Sequence, residues 1–185
     1  MKRIKQVLVS GLMIGAMALL GCGGTDRGGG DGGGHGGDGS TPGCLGGCSR
    51  GFSCQGSTCT LDPTGTWVLR LTSGSVASRK ANGDTWDGDG SPPEPKVCLT
   101  VNGSRSCTPT IQDTYSPVWN TSFAAATATA LQAGVLAEYT DVDAFVDDPI
   151  CSGSIPVTQA EFQSGVWGFR CTSGIGQVEG TLTAQ

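Results

Sequence analysis

From Leu61 to Gln185 the chain is cut into runs too short for a helical bundle. "TWVLRL", "KVCLTV", "VWNTSFAA", "AGVLAEYT", "CSGSIPV", "VWGFRC" and "QVEGTLTA" are rich in Val, Thr, Trp and Phe, with Gly, Asp, Asn or Pro between them. β-Branched and aromatic side chains suit a pleated, half-buried surface, and turn residues at this spacing return the chain antiparallel. The one helix-like stretch is "FAAATATALQAG", yet its threonines alternate as in a strand. Seven or eight strands in roughly 120 residues predict an all-β protein, an antiparallel β-sandwich.

One hairpin is fixed closely by its turn. Asn102-Gly103 is the preferred pair for a two-residue turn with both residues at positive φ. That register sets Val101 against Ser104, Thr100 against Arg105, Leu99 against Ser106 and Cys98 against Cys107. Counted outward, the two cysteines form a non-hydrogen-bonded pair, where Cα atoms approach to about 4.5 Å, within reach of a disulfide.

The N-terminus predicts a different fate. Lys2, Arg3 and Lys5 form a positive head, and Val7 to Gly21 an apolar core too short to span a bilayer comfortably. This is a secretory signal rather than a transmembrane helix. It ends in Leu19-Leu20-Gly21-Cys22, which resembles the lipobox of bacterial lipoproteins. The resemblance implies a signal peptide over 1–21 and acylation of Cys22, including palmitate, giving stable attachment that one chain alone would not supply. Gly23, rather than Asp, points by the same analogy to the outer membrane of the cell envelope. Residues 22–43 then read as the lipidated cysteine and a glycine-rich linker, a tether of about 25 Å root-mean-square span.

Export places the cysteines in an oxidising compartment, where they pair. There are nine, and eight remain once Cys22 carries lipid. Cys44, Cys48, Cys54 and Cys59 are close together; Cys98, Cys107, Cys151 and Cys171 are scattered. Zinc does not suit the tight group, which lacks a CxxC pair, and the single histidine, His35, lies in the glycine tract. Residues 44–60 are too few for an apolar core and need covalent staples. Their spacing resembles a fragment of an epidermal-growth-factor-like knot. Four cysteines allow three connectivities, and the analogy implies Cys44 with Cys54 and Cys48 with Cys59. Cys151 with Cys171 follows by elimination.

Charge excludes one partner class. Without the head group, eight basic residues face sixteen acids, and no basic stripe exists for nucleic acid. Nucleophilic catalysis lacks its base, because His35 sits in the tether. A carboxylate-based hydrolase could draw on Glu94, Glu138 and Asp141, but sugar clefts rely on aromatics that are scarce here. The expectation is therefore a protein that is not an enzyme.

The acids fall in two groups. Asp84, Asp87, Asp89 and Glu94 precede "KVCLTV"; Glu138 and the Asp141, Asp143, Asp147 and Asp148 of "DVDAFVDD" form the other group. Oxygen-rich clusters suit calcium, which takes six to eight oxygens in irregular geometry. An EF-hand fails, because reading Asp87 and Asp89 as third and fifth positions puts Thr85 first and Lys96 twelfth.

Three stretches, in order, carry a family resemblance. Thr114-Tyr115-Ser116-Pro117-Val118-Trp119-Asn120-Thr121-Ser122-Phe123 resembles the T-x-N-P-x-W-N-E-x-F of C2 domains, departing at Ser116 and Thr121. Glu94-Pro95-Lys96-Val97 stands where that family has D-P-Y-V. "AEYTDVDAFVDDPICSG" resembles its strand ending in D-x-D, followed by a loop and D-x-I-G. Over residues 61–185 the resemblance implies an eight-stranded antiparallel C2-type sandwich with calcium bound between loops at one end. Carried over by position, the ligands are Glu94, Asp141, Asp143 and Asp148. The first acid falls at Gly88, flanked by Asp87 and Asp89, and Asp87 is chosen. Trp86 beside it is read as a loop-packing aromatic, with an exposed insertion tip as the alternative.

These readings predict a lipid-anchored, exported binding module: tether, knot and C2-type sandwich. Calcium would bridge its carboxylates to an anionic partner, a membrane lipid or a surface polysaccharide. The rivals are a calcium-independent structural or adhesive sandwich and a carboxylate-based hydrolase.

Overall fold

The computed structural model describes Cys44 and residues 47–185, all within one compact unit that spans Gly39–Gln185. The signal segment, Cys22 and the glycine-rich linker lie outside the described residues. Two antiparallel sheets form the sandwich. The first runs β10 (Val166–Arg170), β11 (Gly176–Ala184), β3 (Thr66–Val76), β6 (Val118–Ser122), with the short β7 (Ala126–Thr127) also on β3. The second runs β5 (Ser104–Cys107), β4 (Pro95–Val101), β8 (Val135–Asp141), β9 (Asp148–Ile155). The fold is all-β, with eight principal strands.

Period-two alternation sends one side of each strand inward. Trp67, Leu69 and Leu71 of β3, Val178 and Leu182 of β11, and Val135, Ala137 and Tyr139 of β8 fill the space between the sheets. Each such side chain contributes roughly 1.5–3 kcal/mol on burial. Asp141 continues the inward phase of β8 and is therefore buried as well. Its place in the core follows from period, not polarity. Tyr139 packs edge-on against Trp119 and Phe169. β3 and β11 lie so close that a Cβ on Gly180 would run into the Arg70 carbonyl, next to a register shift at Glu179/Gly180.

The hairpin has the expected register, Cys98 opposite Cys107, with Asn102 and Gly103 both at positive φ. The two cysteines are bonded, their Cα atoms 4.0 Å apart. Cys151 is joined to Cys171, Cys44 to Cys54 and Cys48 to Cys59. In the knot, β1 (Phe52–Gln55) pairs with β2 (Thr58–Leu61). It leans on the sandwich: Phe52 meets Trp67 edge-on at 6.0 Å, and Gly51 sits where a Cβ would collide with the Trp67 ring.

Two short helices interrupt the strands. The stretch read as an alternating strand holds α1 (Ala128–Ala133), with Thr127 as N-cap and Gly134 closing it. Burial of Ala128, Ala130 and Leu131 on one side selects the helical period over the alternation of threonines. α2 (Gln159–Ser164) was not expected. Its signals are the capping box of Thr158 and Glu161 and the left-handed Gly165, while Phe162 anchors it on Trp67 at 4.9 Å.

Candidate metal centre

Two loops meet at one end of the sandwich, 77–94 between β3 and β4 and 142–147 between β8 and β9. Strand pairing brings them together, because Pro95 of β4 faces Asp141 of β8. Two hydrogen bonds stitch the junction. Val142 N–H donates to the Glu94 carbonyl at 3.1 Å, and Glu94 N–H donates to Asp141 Oδ1 at 2.6 Å.

The longer loop is folded by its own polar groups. Trp86 is buried, and its Nε1 donates to the Ala77 carbonyl at 2.7 Å, so it is a packing aromatic and not an insertion tip. Asp89 turns back to accept from the N–H and hydroxyl of Ser91 at 3.0 and 2.6 Å, which hold its carboxyl below the usual range. Asp87 Oδ2 lies 3.1 Å from the same Ser91 Oγ, and its carboxylate converges with those of the strand ends.

Asp87, Glu94, Asp141 and Asp143 converge, each offering a carboxylate oxygen within 4.8 Å of those of the others. Of the five acids selected from sequence, Asp148 stays outside this group and pairs with Lys80 instead. Glu138, the outward neighbour on β8, pairs with Arg105 at 2.8 Å. It faces away from Asp141, so the two do not flank a common cleft.

The cluster is electrostatically expensive. Desolvation, with Asp87 and Asp141 adding repulsion, pushes Glu94 up to about 7. Burial raises Asp141 too, opposed by the Glu94 N–H, and Asp143 is raised by burial and by its contact with Asp87. Like charges this close disfavour one another's ionised forms. Asp141 Oδ2 is fully buried with no hydrogen-bond partner. A charged, buried and unpaired carboxylate oxygen costs several kcal/mol, a cost that a bound cation or a proton relieves. All-oxygen carboxylate donors fit calcium or magnesium rather than zinc or copper, and four such groups supply up to about eight oxygens for calcium.

Sequence reasoning missed three neighbours of this site. Phe145 is 98% exposed and Val146 74% exposed, at the tip of the 142–147 loop. An apolar pair inside the acidic "DVDAFVDD" was their signal. Lys80, 23% exposed, lies over the Trp86 ring at 5.6 Å; nothing in its sequence neighbourhood announced this.

No protein-family model matches the chain, and no curated protein matches its sequence. Solved structures do match. The tandem C2 domains of calcium-bound extended synaptotagmin 2 align at TM-score 0.51 with 20% identity, over 66% of this chain and 46% of that one. A second structure of the same domain pair aligns at TM-score 0.50 with 18% identity, over 71% and 45%. A form that also contains the SMP domain aligns at TM-score 0.51 with 18% identity, over 66% and 27%. This chain thus spans less than half the length of these proteins. At such identities the likeness is one of fold. The class is an all-β sandwich with an acid-lined loop end, and its fold is that of a C2 domain.

Proposed function

We propose that this chain is an exported, lipid-anchored C2-type module that docks on anionic membrane lipid through calcium. The observation that carries the reading is the adjacency of a metal-ready acid cluster and a solvent-exposed apolar tip. Asp87, Glu94, Asp141 and Asp143 would hold the ion, and Asp141 Oδ2 is the donor left without any other partner. The bound ion would supply positive charge facing lipid phosphate or carboxylate, which the chain's own eight basic residues beyond the signal do not concentrate anywhere in sequence. Phe145 and Val146 would enter the interface, a gain of about 1.5–3 kcal/mol for a buried phenyl. A convex apolar tip favours lipid over the surface polysaccharide, which would need a flat or concave aromatic platform.

The anchor rests on Leu19-Leu20-Gly21-Cys22, and with it the placing in a bacterial envelope, while the outer membrane rests on Gly23 after it. Binding rather than catalysis is favoured because Glu138 is engaged by Arg105, while Glu94 and Asp141 crowd into one metal-ready cluster. Co-sedimentation with phosphatidylcholine vesicles, with and without phosphatidylserine, tests the reading in calcium and in chelator. Binding only with both calcium and anionic lipid is expected. Equal binding in chelator favours a calcium-independent adhesive or structural sandwich.

A further inference from the structure

One cation already sits beside the acid cluster, and its position is built. Lys80 hydrogen-bonds Asp148 Oδ2. Its own N–H donates to the Asp84 carbonyl at 2.9 Å, and its carbonyl accepts from Gly83 N–H at 2.9 Å. Beneath the ammonium lies the Trp86 ring, itself pinned to Ala77. A cation over an indole face, with its backbone held in a turn, is a placed group rather than a free surface lysine.

Asp148 belongs to the same corner as the cluster. It faces Asp141 directly across the β8–β9 ladder, and opposed residues point to one face of a sheet. Even so, its oxygens fall outside the mutually close set. The four clustered carboxylates already suffice for one ion of six to eight oxygens, whereas a second ion would have to share those oxygens and would gain most from one more carboxylate beside them. Asp148 is the acid placed to provide it. Lys80 holds that acid and adds a positive charge that repels a second divalent ion.

We propose that Lys80 is a tethered counter-cation that withholds Asp148 and limits the acidic end of the sandwich to a single calcium ion. This rests on the calcium reading above, for which the buried, unpartnered Asp141 Oδ2 is an observation independent of the acid count. No outside factor is required, since the limiting charge is carried by the chain itself.

Calorimetric titration of the purified full chain with calcium chloride tests it, alongside Lys80→Met, Lys80→Gln and the double variant Lys80→Met/Asp148→Asn. The wild type should take up one ion. Each Lys80 variant should take up a second, and the double variant should return to one. Folding of each is checked by its melting transition in chelator, and two different replacements guard against one that misfolds. Two ions in the wild type, or one ion in both folded Lys80 variants, overturns the role of Lys80 while leaving the calcium site intact. Absence of any binding heat in the wild type overturns the calcium reading itself.

Discussion

Asp141 uses its two oxygens for two purposes: Oδ1 accepts the Glu94 N–H at 2.6 Å, while Oδ2 is buried and unpaired. The first oxygen ties the β8 end to the β4 end. The second stores a desolvation cost that a cation would relieve. A single inward-facing carboxylate would thus couple loop geometry to metal occupancy.

Asp141→Asn should separate these roles. The amide oxygen can still accept from Glu94, whereas the charge is gone. In chelator the variant should melt higher than wild type, by about 1–2 kcal/mol from relief of charge burial. With calcium at ten times a dissociation constant, linkage should stabilise wild type by about 1.4 kcal/mol, a shift of about 3–6 °C, and the variant by much less. Equal calcium shifts in the two proteins would count against Asp141 as a ligand.

Stability without metal should fall as pH rises. Glu94 is raised from 4.5 to about 7, so the folded state holds its proton more tightly than the unfolded chain. The resulting penalty is absent below about 4.5 and complete above about 7, and the raised Asp141 and Asp143 act in the same sense. Calcium affinity should move the opposite way, strengthening through neutrality as the carboxylates ionise. Melts in chelator at several pH values check the first, and Glu94→Gln should flatten the slope. A slope of opposite sign would refute the assignment.

Phe145→Ala should separate lipid docking from metal binding. Loss of a phenyl worth about 1.5–3 kcal/mol lowers vesicle affinity by roughly one to two orders of magnitude. Its ring is 98% exposed in the free protein, so the melting temperature and calcium titration should not change. Vesicle partitioning equal to wild type would remove the loop tip from the interface.

Replacing Cys98 and Cys107 together by alanine should cost about 2–3 kcal/mol by releasing a short closed loop in the unfolded state. The Asn102-Gly103 turn should still hold the register, leaving a cooperative melt at lower temperature. Denaturant titration measures both quantities.

Under the proposed anchoring, Cys22→Ser should move the protein from the membrane fraction to the soluble one, because the acyl chains would supply the attachment. The loop tip would be a weaker, calcium-dependent contact, so the fractionation is done in chelator. Retention of the variant after a high-salt wash in chelator would argue against lipidation.

Local chemistry in the sequence was enough to determine the elements that depend on neighbours along the chain. Asn102-Gly103 dictated a turn, and the turn dictated that Cys98 meets Cys107, because a two-residue loop permits one register. Alternation in β3, β8 and β11 determined which residues face inward, and the acidic groups around Glu94 and Asp141 announced an oxygen-rich corner. Tertiary packing decided the rest. Whether residues 128–133 follow a helical or a strand period depended on the surface available to Leu131, which propensity does not encode. Asp87 rather than Asp89 lies among the converging carboxylates, and Asp89 is turned back on its own loop by the Ser91 N–H. Asp148 was withdrawn from its fellow acids by Lys80, a residue 68 positions away in sequence. Electrostatic partners are selected by distance in space, and that distance exists only once the strands have paired.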